Sequence, residues 1–158
     1  MDLLPFFQWC EDTALGQVIR DSLWLFPVIE AIHLLALALL GGCILVVDLR
    51  LLGLGLRSQS AANLARYIHP WLVGSLLTMI ATGVPMFLSE AIKCYYSPPF
   101  WYKMSFLAVA TVYTFSLRRR VAGADPARVG PVWGRLVALT SLTLWFCVGF
   151  SGRWIAFY

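Results

Sequence analysis

Four apolar runs, at roughly 23–47, 69–89, 99–117 and 133–152, each approach the ~20 residues that an α-helix needs to cross the hydrocarbon core of a bilayer. The runs are continuous rather than alternating, and lipid leaves no backbone N–H or C=O unpaired, so helices are expected and a β-barrel is not. Composition agrees: 60% of residues are hydrophobic, only 13% are charged and the mean hydropathy is +0.77, all outside the range of soluble domains. The expected fold is an all-α integral membrane four-helix up-down bundle, one domain over residues 1–158. Residues 1–20 hold Leu3, Leu4, Phe6, Phe7, Trp9 and Leu15 with Pro5 near the start, the pattern of a short interfacial helix. They contain no basic residue before Arg20, so a cleavable signal peptide is not expected.

Charge sets the expected topology. Arg50, Arg57, Arg66, Arg118, Arg119, Arg120, Arg128 and Arg135 fall on the side reached after the first crossing, whereas Arg20, Lys93, Lys103 and Arg153 fall on the other, with six of the eight acids. The positive-inside rule then puts both termini outside and the arginine-rich loops in the cytoplasm. Topology accounts for the net charge of +4, and no recognition motif accompanies the arginines, so nucleic acid is not an expected partner. The lipid bilayer is. Helix two is expected to begin at Pro70 after a short surface helix at Ser60–Arg66, and Gly83 with Pro85 predicts a kink near its outer end. Asp48-Leu-Arg50 reads as a charge pair at the cytoplasmic interface that ends helix one. Small residues such as Gly41, Gly42, Gly74 and Ser75 suit close helix packing, within one chain or in a homo-oligomer.

The chain has two histidines, and one of them, His33, stands inside its most apolar run one turn from Glu30. His33 lies about ten residues, or ~15 Å, into the first crossing, where an ionisable group is costly and marks a functional site by default. One reading is an interhelical polar network in which Glu30 pairs with Lys103 or Arg153. The other is metal ligation, with haem iron the fitting metal because imidazole is its commonest axial ligand and bundle cores hold cofactors. His69 is expected at the cytoplasmic mouth of helix two, ~20 Å along the normal from His33, too far to share one iron with it. It reads as an interfacial cap, with a second cofactor on that side as the alternative. Lys103, about ~6 Å into helix three from the outer side, is the candidate second ligand, provided its amine gives up a proton; the alternative is snorkelling to the interface. Met86 and Met104 lie at similar depth. Arg153 is placed to neutralise Glu30 or to hold a haem propionate. Cys10, Cys43, Cys94 and Cys147 form no CxxC or CxxH pattern; Cys10 and Cys94 share the outer side, where a disulfide is chemically permitted.

The stretches Trp24-Leu-Phe-Pro-Val-Ile-Glu-Ala-Ile-His33, Asp48-Leu-Arg-Leu-Leu-Gly53, Phe100-Trp-Tyr-Lys-Met104 and Gly152-Arg-Trp-Ile-Ala-Phe157 resemble an uncharacterised family of small bacterial four-helix membrane proteins, a domain of unknown function. Members of that family often carry a further histidine near the end of helix three, where this chain has Tyr113-Thr-Phe-Ser116. In their early His and third-helix Lys, here His33 and Lys103, the bacterial haem-binding protoporphyrinogen oxidases and the copper-resistance D family are also similar. These resemblances imply a multi-pass protein of the bacterial inner membrane with both termini periplasmic. The functional expectation is a b-type haem protein in electron transfer or haem-linked oxidation, with His33 and Lys103 as ligands, Arg153 and Glu30 around them, and a periplasmic redox partner or quinone as its counterpart. The competing expectations are a cofactor-free scaffolding subunit and a small-ion or copper-handling protein.

Overall fold

The computed structural model describes residues 3–55, 58–124 and 130–157; Asp2, Arg57, Asp125, Pro126 and Arg128 lie outside the described residues. Those described are all-helical, with no strand among them. The elements are α1 (Leu4–Glu11), α2 (Ala14–Asp21), α3 (Leu25–Leu52), α4 (Ala61–Ser89), α5 (Ala91–Tyr96), α6 (Pro98–Tyr113), a π-helical turn (Thr114–Arg118), α7 (Arg119–Gly123) and α8 (Pro131–Trp154), ending in a 3₁₀ turn (Ile155–Phe157). Because α6, the π turn and α7 follow one another without a break, the described residues form seven helical bodies, where four crossings, an interfacial N-terminal helix and a short surface helix at Ser60–Arg66 were expected. Three of them, α3, α4 and α8, are long and apolar enough to cross a membrane. The expected third crossing, 99–117, is not among the three, because its α-helix stops after 16 residues where the π turn begins.

Local chemistry explains the other shifts. The segment expected as a separate surface helix joins α4: Ser60 accepts the Asn63 N–H at 3.2 Å, and the following Ala, Leu and Arg favour helix. Pro70 therefore sits inside the helix and not at its first turn, costing one backbone hydrogen bond that helix-forming neighbours outweigh. At the far end of α3 the helix runs past Asp48 to Leu52 and closes on Gly53, whose φ of 80° is the left-handed conformation a helix C-terminus selects glycine for.

Helices α3 and α4 run antiparallel and share an apolar core of Ala36, Leu40, Cys43, Ile44, Leu72 and Met79. On its other side α3 packs against α8, and α8 against α6; the ring closes on α4 through α7. Outward-facing Leu35, Val112 and Phe146 are each about 70% exposed, a surface compatible with lipid. The N-terminal helices fold back on one end of this ring. Phe7 inserts among Phe87, Tyr95, Phe100 and Trp101, and Glu11 accepts the Ile92 N–H at 2.6 Å while pairing with Arg20 at 3.0 Å. Gly16 makes the closest approach: a Cβ there would lie 2.5 Å from the Leu88 carbonyl oxygen, so α2 docks on α4 only through glycine. Cys10 and Cys94 belong to the same apolar cluster and are both free thiols.

Candidate functional site

His33 is half-buried on α3 and turns toward α4, where its Nδ1 lies 2.8 Å from the Thr82 hydroxyl oxygen. The direction of that bond follows from its neighbours. Thr82 Oγ1 donates its only proton to the Thr78 carbonyl at 2.7 Å, so toward His33 it must accept. The Met79 carbonyl also faces the ring and is likewise an acceptor. These two acceptors favour the tautomer with the proton on Nδ1, which leaves the lone pair on Nε2. Gly83 keeps space beside the ring: a Cβ there would already touch Cε1 at 3.4 Å.

Lys103 comes from the first turns of α6 and lays its stem on Gly152 of α8, where a Cβ would stand 3.5–3.6 Å from Cδ, Cε and Nζ. It is half-buried, makes no ion pair among the described residues and lies within electrostatic reach of the His33 ring. Four helices, α3, α4, α6 and α8, thus bring Lys103 within electrostatic reach of His33. Glu30 and Arg153 stay outside it: Glu30 is exposed and unpaired among the described residues, and the exposed Arg153 guanidinium rests 5.4 Å over the Phe157 ring. Met104 is exposed as well.

Near this end, outside the long apolar helices, Cys94 sits buried with its thiol pushed up to about 11, first by burial and then by the Glu90 carboxylate. Burial also raises the Cys10 thiol. Both are protonated near neutral pH and are packing groups, not nucleophiles.

The opposite end, richest in arginine, holds a centre whose residues were expected at the cytoplasmic interface. Asp48 is fully buried and its Oδ1 accepts from Arg118 Nε at 2.6 Å, while Arg118 Nη2 donates to the Ile44 carbonyl at 3.0 Å. Ser141 Oγ stands beside the Asp48 carboxyl as its remaining hydrogen-bonding neighbour, and neither Ser141 Oγ nor Asp48 Oδ2 has another partner among the described residues. Arg50, the expected partner of Asp48, instead donates to the Gln59 carbonyl. The signal was present in the spacing. Asp48 continues the buried series Ala36, Leu40, Ile44 at intervals of four, and Arg118 continues Ala110, Thr114 in the same way.

The π turn also aims Phe115 edge-on at His69, ring centroids 6.3 Å apart, and places Thr114 to accept from Trp145 Nε1 at 2.9 Å. His69 is eight residues past the start of α4, not at a helix mouth, and its Nε2 is buried with no partner among the described residues. Thirteen residues of α4 separate it from Thr82, about 20 Å, so the two histidines belong to different centres. No group of three or more His, Cys, Asp or Glu is gathered at either centre among the described residues.

These observations define an all-helical protein compatible with a membrane, carrying one polar centre toward each end of its helical ring. Residues 6–158 match the model of DUF6644, a family of unknown function, and the chain belongs to that family. Comparison with curated proteins returned no match, and comparison with solved structures returned none either.

Proposed function

We propose that this is a b-type haem protein of the bacterial inner membrane, a four-helix bundle of α3, α4, the α6–α7 rod and α8 with both termini periplasmic, working in electron transfer or haem-linked oxidation. The observation that carries the reading is the 2.8 Å contact between His33 Nδ1 and a Thr82 hydroxyl that also bonds the Thr78 carbonyl, an arrangement that favours Nδ1–H and leaves the lone pair on Nε2. Metal-ligating imidazoles are held in this way, with the second nitrogen donating to a fixed acceptor that orients the ring and raises its basicity. A single imidazole without a surrounding cluster of His, Cys, Asp or Glu suits a metal that brings its own equatorial donors, which favours a tetrapyrrole over a bare copper ion.

Haem, when bound, supplies one-electron redox chemistry. The chain's own residues orient and surround it. His33 is the proximal ligand, fixed by Thr82; Lys103 is the candidate second ligand, or else a cation beside the site; Arg153, with no ion pair among the described residues, is available to a propionate at the periplasmic end. Glu30 adds negative charge at the same rim. A centre at that depth suits exchange with a periplasmic redox partner or with membrane quinone.

A second reading, a cofactor-free scaffolding subunit, is favoured by the Asp48–Arg118 pair, which ties helices together without any need of a ligand. Optical spectra of the gently purified protein, oxidised and dithionite-reduced, separate the two. The haem reading expects a Soret band in the wild type that His33→Ala abolishes and Thr82→Val shifts. A colourless protein after haem-supplemented expression, with His33→Asn assembling normally, would establish the scaffold instead.

A further inference from the structure

At the arginine end, α4 and the π turn with α7 enclose a cavity of about 350 Å³, with Val47 of α3 at its side. It lies about 20 Å from His33 and takes no part in the proposed haem centre. Its wall is mostly apolar, and apart from the Thr114 hydroxyl the polar side chains that reach it are basic. Arg66, Arg118 and Arg119 line it, together with His69, whose buried Nε2 has no partner among the described residues. Among the described residues no acid lines it, and neither Arg66 nor Arg119 makes an ion pair. Arg118 is neutralised from behind by Asp48, to which and to the Ile44 carbonyl it donates Nε and Nη2.

Positive charge without carboxylates, above an apolar floor, selects a ligand with an anionic, acceptor-rich head. The π turn contributes to this arrangement: it sends Arg118 inward to Asp48 and leaves Arg119 on the rim. The geometry points to a binding site for a phosphate group, held by Arg66, Arg119 and His69, whether that group is the head of an anionic phospholipid or a free phosphate anion. For a lipid, the apolar floor formed by Leu72, Ile68 and Phe115 receives the start of the acyl chains.

The test uses the full-length protein in detergent and native mass spectrometry with dihexanoyl phosphatidylglycerol, the phosphatidylcholine analogue and inorganic phosphate as probes. The expected result is that the glycerol lipid binds about tenfold more tightly than the choline lipid, and that the double variant Arg66→Gln, Arg119→Gln removes this preference. His69→Leu, which changes no fixed charge, weakens binding by a smaller factor and serves if the double variant fails to fold. Arg120→Gln, an exposed charge outside the cavity, leaves affinity unaltered. Inorganic phosphate that competes with the same residue dependence identifies a free anion as the occupant; absence of competition identifies the lipid head. Equal binding of the two lipids together with no binding of inorganic phosphate, undiminished binding in both cavity variants, or an equal loss in Arg120→Gln overturns the proposal.

Discussion

At the arginine end of the helical ring, Asp48 and Arg118 meet at 2.6 Å with both side chains buried; fifteen residues back along both helices, His33 and Lys103 come within electrostatic reach without a bond between them. The register is the same, because α3 and the α6–π rod run parallel: 33 stands to 103 as 48 stands to 118. The energetics differ. One pair has satisfied most of its polar demand internally and acts as a tie, whereas the other leaves a lone pair on His33 and a cation on Lys103 free to interact with something else. The His33 end is the more informative one about function, since a half-buried imidazole and amine that make no bond to each other are open to a ligand or water.

The largest expected effect follows at the tie. Removing one partner, as in Asp48→Leu or Arg118→Leu, strands the other charge in the core and costs about 3–5 kcal/mol. The double replacement Asp48→Leu, Arg118→Leu recovers most of it, since two apolar side chains leave nothing unpaired. Denaturant-induced unfolding in mixed micelles measures all three. If the single variants are as stable as the wild type, the pair is not buried in the membrane and the contrast between the two ends disappears.

A smaller effect is expected at the His33 end. Thr82→Val deletes one neutral hydrogen bond and leaves a half-buried imidazole that water can reach, so its cost is about 1 kcal/mol. What it changes is the tautomer, because Nδ1 loses its acceptor on Thr82. Nitrogen NMR of labelled histidine reads this directly: the wild type should show a protonated Nδ1, and the variant a mixture. A wild-type ring protonated at Nε2 would remove the proposed ligand.

Much of this architecture was legible in the residues, and the misses have physical causes. Hydropathy located the apolar helices, because lipid solvation acts on composition alone. It did not locate their ends: Ser60 and Gly53 set those through capping, and hydropathy ignores caps. His33 and Lys103 stood out as polar residues in apolar runs, and depth alone sufficed to separate His33 from His69. Asp48 and Arg118 were assigned to the interface because each lies beside further arginines, Arg50 for one and Arg119 with Arg120 for the other. Only the intervals of four, which carry both onto the inner face, reveal that they belong to the core. The π turn left no sequence mark that periodicity reads, since it alters the phase of the helix by a single residue.

The smallest effect tests whether Lys103 occupies the His33 end at all. Cys94 is a buried thiol whose ionisation is pushed from 9.0 up to about 11 by burial and by Glu90, with Lys103 acting in the opposite sense. In the folded protein its reaction with a neutral maleimide should keep rising, about tenfold per pH unit, beyond pH 9, where an unfolded thiol levels off. The same shift means that the fold loses stability as pH rises from 9 through 11, because the unfolded chain releases the Cys94 proton first. Lys103→Met takes away a cation that favours the thiolate and slows labelling of Cys94 at pH 9 by a factor on the order of two. Cys10 raises a competing signal, so the measurement is made in a Cys10→Ser background and followed by peptide mass. Unchanged labelling would mean that the ammonium points away from the thiol, and with it the case for Lys103 beside His33 would fail, leaving the imidazole to find its second partner on another helix.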